Sequence, residues 1–267
     1  MDYIVEHLLG TKPWLYLDEI KRFLLEAYDV DVDLATVRRC LERIEITRKK
    51  IRAVAAQRNE ELRYAWLWMI QPFLMDYYVA VDESGNHERT GDRIYGYSKR
   101  GIPAAVERFL QRRLRISLLA AYTTKGFIAT TTFQGTCNAD LFESFMIDIL
   151  LPLCNQFPAE RSMVVVDNTS IYHANKEAIE TAYLRKGVFI KYLPPYSPDF
   201  NPIGESFNDL KGFIRRTYHQ KKAQFDDYQG YLEWAVKEIG TGPAAGRHAL
   251  KHFHNAGFRD LGDDLDC

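Results

Sequence analysis

The run Met163-Val164-Val165-Val166, closed by Asp167, constrains this chain more than any other stretch. Consecutive β-branched residues without polar alternation read as a strand buried on both faces. Such a strand belongs inside a sheet flanked by helices. Its acid then stands at the strand end. A second strand, YYVAVDES over 77–84, puts Asp82 near its end. A third acidic region lies in KYLPPYSPDFNPIGESFNDLK, from Lys191 to Lys211: an apolar strand, a double-proline turn, and an Asn-Pro helix start followed by Glu205. Acids from separate strand ends and a helix start are what a divalent-metal site for phosphate chemistry needs.

The remaining elements follow from apolar spacing. LYLDEIKRFLLEAY reads as a helix with Leu17, Ile20, Phe23, Leu24 and Ala27 on one face. DLATVRRCLERI reads as a second, with Asp33 as N-cap, Leu34, Val37, Leu41 and Ile44 inward, and Thr36, Arg38, Arg39 and Arg43 outward. A short helix, a turn and an Arg-bearing second helix fit a helix-turn-helix that grips DNA, or a helical hairpin with a solvated basic face. From Thr36 to Arg58 there are eight basic and two acidic residues, a local charge of +6 that includes Lys49 and Lys50. Such a block can neutralise phosphates. The whole chain, with 35 Lys+Arg against 36 Asp+Glu, is nearly neutral, so it is not a general nucleic-acid glue.

Residues 53–75 read as a helix that ends near Pro72 and links a small domain to a large one, with Trp66 and Trp68 in core roles. IYGYSKRG over 94–101 reads as a strand, and RISLLAAYTTKGFIATTTF as a hairpin turning at Lys125-Gly126. DLFESFMIDILLPL is helical, NKEAIETAYLRKG is a helix closed by Gly187, VFIKYL is a strand, and PIGESFNDLKGFIRRTY is the final helix. Leading strands followed by alternating helix and strand predict an α/β domain with a ribonuclease H-like mixed sheet flanked by helices, preceded by a small all-α helix-turn-helix domain. The boundaries expected are 1–52 for the helix-turn-helix region, 53–75 for the linker helix, 76–257 for the ribonuclease H-like domain and 258–267 for an acidic tail. Cys40, Cys137, Cys154 and Cys267 form no CxxC pair, which suits a reduced, intracellular protein. No run approaches the ~20 apolar residues of a membrane span.

The motifs VDES at Asp82, VVDNTSIYH at Asp167 and LPPYSPDFNPI before the final helix, together with the segment YLDEIKRFLLEAYDVDVDLATVRRCLERIEITRKK, make the chain resemble a mariner-type transposase of the DDE superfamily from Leu15 to about Gly257. The resemblance implies an enzyme that binds transposon-end DNA and cleaves and joins phosphodiesters with Mg²⁺ or Mn²⁺. It implies double-stranded DNA as partner, a homodimer, and a nuclear location in a eukaryotic host. It also implies metal ligation and catalysis by Asp82, Asp167 and a third acid on the final helix, for which Glu205 is the candidate, with Asp82 bridging two ions. The family pattern ends NPIE, but here Gly204 stands where that acid belongs and Glu205 follows one residue later. Phe207 keeps the family's register, so no insertion accounts for the shift. Members also carry a further helix-turn-helix domain, for which Met1 leaves little room. The alternative expectation is therefore a catalytically impaired, transposase-derived DNA-binding relic.

Each residue has a plainer reading beside this one. Asp82 could end a strand, and Asp167 with Asn168 could cap the next helix. Glu83 must face away from Asp82. One helical step turns a side chain by ~100°, so Glu205 reaches the Gly204 position only if the first turn unwinds. Asn208, four residues on, shares the Gly204 face. The alternative for Glu205 is a solvated acid favoured by the helix N-terminus. Asp199 belongs to a proline-stiffened loop. His173 reads as a loop-orienting or DNA-contacting residue. His248, His252 and His254 hint at zinc but lack a Cys or acid partner at a ligand spacing. Lys211, Arg215, Arg216, Lys221 and Lys222 could track a DNA backbone or form a solvated face.

Overall fold

The computed structural model describes residues 1–51, 58–106, 114–167, 175–240 and 243–260. It divides into two compact units, Met1–Ala56 and Gln57–Cys267.

The first unit packs three helices among its described residues: α1 (Asp2–Thr11), α2 (Leu17–Tyr28) and α3 (Leu34–Arg43). Val5 and Leu8 of α1, Ile20 and Leu24 of α2, and Val37 and Cys40 of α3 form its buried core. Each fully buried aliphatic side chain stabilises the fold by roughly 1.5–3 kcal/mol. The α3 start is capped as its sequence predicts: Asp33 Oδ1 accepts from the Thr36 amide at 2.6 Å. α2 ends at Asp29, whose φ of 54° turns the chain into the left-handed region. Two details differ from the periodicity. Leu34 is exposed and Cys40 takes the inward position. The helix α1 adds a third element that the spacing alone did not reveal.

In the second unit, α4 (Glu60–Ile70) leads into β1 (Tyr78–Asn86). Then follow β2 (Ile116–Thr123), β3 (Gly126–Gln134) and α5 (Ala139–Ser144). A π-helical stretch at Phe145–Leu150 and the short α6 (Leu151–Leu153) carry that helix on to β4 (Met163–Val166). The chain continues through α7 (Lys176–Lys186), β5 (Phe189–Tyr192), α8 (Ile203–Lys221), α9 (Tyr228–Gly240) and α10 (Pro243–Asn255). Among the described residues the sheet order is β3-β2-β1-β4-β5. β1 pairs antiparallel with β2 and parallel with β4, and β4 pairs parallel with β5. The result is a five-stranded mixed sheet with helices on both faces.

Strand alternation sorts the core into two layers. Tyr78 and Ala80 of β1, with Val165 of β4, pack under Ile203, Phe207, Leu210 and Ile214 of α8 and the helices after it. Val79 and Val81, with Val164 and Val166, pack under the α5 region and α7. The Met163–Val166 run is buried throughout, as a strand covered on both faces must be.

IYGYSKRG does not form a strand. Ile94, Tyr95 and Tyr97 are exposed, so the segment buries no face against the core, and the place beside β1 that a second strand would take is held by β2 and β4. The helix expected over 53–75 is observed at Glu60–Ile70, with Trp66 buried and Trp68 exposed; residues 53–57 lie outside the described residues. Of the tail, Phe258 is buried and Arg259 bridges Leu74; residues 261–267 lie outside the described residues. Cys40, Cys137 and Cys154 are buried and form no disulfide. No described helix is long and apolar enough to cross a membrane.

Candidate functional site

Register brings the first two acids together. Val81 of β1 stands opposite Val166 of β4 in a parallel pair. Asp82 and Asp167 are the next residue on each strand path, and neighbouring strands run ~4.8 Å apart. Asp82 alternates with Ala80 and Asp167 with Val165, both on the sheet face under α8. This is where the parallel β1–β4 ladder ends, but β1 itself runs on to Asn86 beside β2. Asp82 therefore lies in mid-strand and not at the strand end its sequence suggested, whereas Asp167 does follow the end of β4.

The electrostatics agree with that placement. Burial pushes the Asp82 carboxyl up to about 7. Repulsion from Asp167 and Glu83 adds to the rise, while the Glu83 amide and Lys211 oppose it. The Glu83 amide donates to Asp82 Oδ1 at 2.7 Å. Glu83 itself faces the other way. Its carboxylate accepts from Ser117 Oγ at 2.6 Å, Arg115 Nη2 at 3.2 Å and the Cys137 amide at 3.2 Å. Two carboxylates side by side in a half-desolvated site repel each other, and a divalent cation between them removes that cost. The donor set therefore fits an oxygen-seeking divalent ion with two protein carboxylates.

α8 carries Gly204 and Glu205, the residues at and beside the place where a third acid is expected. Its buried ridge is Ile203, Phe207, Leu210 and Ile214. Gly204, Asn208 and Lys211 lie on one flank of that ridge by helical spacing. Lys211 acts on Asp82, so this flank is the one turned to the acid pair. A Cβ added at Gly204 meets no atom within 4 Å, so a side chain there has open space. Glu205 lies on the opposite flank. Asn255 Nδ2 of α10 donates to both of its carboxylate oxygens, at 3.1 and 3.0 Å. The structure thus brings Asp82 and Asp167 together and holds Glu205 against α10 instead.

The approach to α8 is built differently from its sequence-based expectation. Asn201 has extended dihedrals and Pro202 helical ones, but the Asn201 side chain makes no cap hydrogen bond. It is buried with both polar atoms unpartnered. Asp199 is a structural anchor. Arg63 Nη1 and Nη2 of α4 donate to its two oxygens at 3.1 and 2.8 Å, and the guanidinium stacks 3.9 Å over Phe200. Partial burial alone raises the Asp199 pKa, and the Arg63 hydrogen bonds overcome it, leaving the carboxyl below its ordinary value.

The same flank of α8 that carries Glu205 also carries Asp209, which sequence reading missed. Asp209 Oδ2 lies 3.1 Å from His248 Nδ1 and 3.4 Å from His252 Nε2. Burial holds His252 below the usual imidazole value, against the pull of Asp209 and Glu205. The available signal was the four-residue spacing of His248 and His252, with the same spacing of Glu205 and Asp209. His173 lies outside the described residues.

In the first unit, Arg38, Arg39, Lys49 and Lys50 are exposed and Thr36 is half-buried. Arg39 Nη2 donates to Thr36 Oγ1 at 3.1 Å, and Arg38 Nε to Glu42 Oε1 at 3.2 Å. Arg43 is not a free outward cation. It grips Asp2 of α1 through Nε at 2.7 Å and through Nη2, which ties α1 to α3.

The fold is similar to three solved Mos1 structures. They are the Mos1 transposase paired-end complex with left transposon end (18% identity, TM-score 0.67, covering 96% of this chain and 75% of that one), the Mos1 mariner paired end complex with Mn (17%, 0.66, 96% and 76%) and the complex with Mg (17%, 0.64, 96% and 76%). At such identity the likeness is one of fold alone. No curated protein sequence matches the chain. The model of one family, the DDE superfamily endonuclease, matches residues 78–226, from the strand that carries Asp82 past the end of α8. With that match spanning more than half of its length, the chain belongs to the DDE superfamily endonucleases.

Proposed function

We propose that the protein is a transposase-type DNA-binding member of this family. It holds double-stranded transposon-end DNA and binds Mg²⁺ or Mn²⁺ through Asp82 and Asp167, but cleaves and joins phosphodiesters poorly. The observation that carries this reading is the pair of α8 flanks: Gly204 opens onto space on the acid side, while Glu205 is committed to Asn255 on the other. The Mos1 paired end complexes with Mn and with Mg support a divalent cation.

When bound, such a cation stabilises charge on the attacking oxygen and on the phosphodiester. Asp82 and Asp167 supply the carboxylates that hold it. Lys211, on the Gly204 flank, adds a positive charge that can meet a phosphate. Glu83 takes no part, because its oxygens secure β1 to Arg115, Ser117 and Cys137. Arg38, Arg39, Lys49 and Lys50 offer phosphate contacts from the first unit. Joining two ends of one element calls for two copies, so a homodimer is part of the proposal. DNA as substrate puts its work in the nucleus of a eukaryotic host.

A plasmid-nicking assay in Mg²⁺ or Mn²⁺ tests the site. The chain as it stands is expected to nick weakly or not at all. Gly204→Glu restores a third carboxylate and raises the rate on the order of 100-fold. Asp82→Asn on that background abolishes the gain. Strong metal-dependent nicking by the unaltered chain that vanishes with Glu205→Ala would overturn the assignment and make Glu205 the third ligand.

A further inference from the structure

α8 and α10 build a second cluster that the Asp82–Asp167 site does not use. His248 and His252 stand four residues apart on α10, and Glu205 and Asp209 four apart on α8, so each pair shares one helix face. Asp209 Oδ2 lies 3.1 Å from His248 Nδ1 and 3.4 Å from His252 Nε2. Glu205 Oε2 lies 3.8 Å from His252 Nε2. The ligand atoms of Asp209, His248 and His252 all fall within 4.8 Å of one another.

These separations can be set against a known coordination shell. Zn²⁺ binds imidazole nitrogen and carboxylate oxygen at about 2.0–2.2 Å, which places the donors of a tetrahedron about 3.3–3.6 Å apart. The three measured pairs bracket that range. We propose that Asp209, His248 and His252 bind a zinc ion, with Glu205 as the fourth ligand.

The surroundings suit the ion. Tyr122 Oη lies 2.9 Å from His252 Nδ1. A ligating Nε2 needs its proton on Nδ1, and Tyr122 is placed to accept that proton's hydrogen bond and fix the ring. Glu205 can give Oε2 to the metal while Oε1 keeps its hydrogen bond from Asn255. Two imidazoles with carboxylates select zinc over the hard, oxygen-seeking Mg²⁺. A cavity of about 300 Å³, lined by Asp209, His248, His252 and Arg216 among others, gives the ion a way in. The bound ion clips α10 to α8, the helix that bears the Gly204 position. The inference does not depend on the nuclease reading, because it uses neither Asp82 nor Asp167.

The test uses the full chain, stripped with a chelator and dialysed against Zn²⁺, with metal analysis and thermal melts. One zinc per chain and a raised Tm are expected, since an ion that binds only the folded state stabilises it. Excess Mg²⁺ does not displace the ion. His248→Ala and Asp209→Asn, both at exposed positions, lose the zinc and the Tm gain while melting normally without metal. Tyr122→Phe weakens zinc binding by about 10-fold or more. The double variant Asp82→Asn/Asp167→Asn keeps its zinc. Absence of bound zinc, or zinc that survives His248→Ala but leaves the double variant, overturns the proposal.

Discussion

Gly204 and Glu205 are one residue apart, and that single step separates two sites. A helix turns ~100° per residue, so neighbouring positions on α8 face different partners. Gly204 shares its flank with Lys211 beside Asp82, whereas Glu205 is held by Asn255. Asp82 yields a prediction at this scale. Its carboxyl is raised from an ordinary 3.8 to about 7, first by burial and then by Asp167. Between those values the folded chain keeps a proton that the unfolded chain has lost. This group's contribution to stability therefore falls as pH rises through that window and levels off above it. With divalent ions chelated, Asp82→Asn is expected to raise the Tm at about pH 8, the gain shrinking toward about pH 4. An unchanged or lower Tm at the higher pH would show that neither burial nor Asp167 strains this carboxylate.

At the scale of elements, α4 is secured by Arg63, whose side chain is buried against Asp199 and Phe200. Removing the arginine leaves the partly buried Asp199 carboxylate with Arg58 Nη2 at 3.7 Å as its remaining cation. Arg63→Ala is expected to cost about 2–3 kcal/mol in urea unfolding, less than a fully buried pair because Asp199 is partly exposed. The Asp199 carboxyl sits below its ordinary value, so the pair's contribution is present above that value and lost as pH falls through the folded pKa. A double-mutant cycle with Asp199→Ala measures the coupling directly, and additive costs would assign the loss to packing on Phe200. In the first unit, α3 presents Arg38 and Arg39 to solvent, whereas Arg43 is bound to Asp2. Changing Arg38 and Arg39 together to Ala is expected to weaken DNA binding and lower its salt dependence by up to about two phosphate contacts. The same affinity and slope in a salt titration would remove α3 from the DNA interface.

For the whole molecule, the apolar cores divide cleanly. The cluster of Val5, Leu8, Ile20, Leu24, Val37 and Cys40 lies wholly within Met1–Ala56, and the two layers around the sheet lie within Gln57–Cys267. Residues 57–267 expressed alone are therefore expected to unfold cooperatively, with a Tm within about 4 °C of that unit's transition in the full chain. Loss of cooperative melting on calorimetry would show that the larger core needs the smaller unit.

Much of this was legible along the chain. The Met163–Val166 run set a buried strand, the YYVAVDES and VFIKYL runs set two more, and Asp167 and Glu205 stand in their elements where local spacing put them, whereas Asp82 stands in mid-strand and not at a strand end. The readings that hold do so because strand alternation and helical rotation are properties of adjacent residues. Local spacing also misled: IYGYSKRG has the look of a strand, yet its large side chains stay in solvent and β2 and β4 hold both sides of β1. What only the tertiary structure decided is which face meets which. The Val81–Val166 register sets Asp82 beside Asp167, Arg63 meets Asp199 across 136 positions, and α10 brings two histidines to Asp209. Such meetings depend on how apolar ridges pack together, and no spacing within a single element encodes its distant partner.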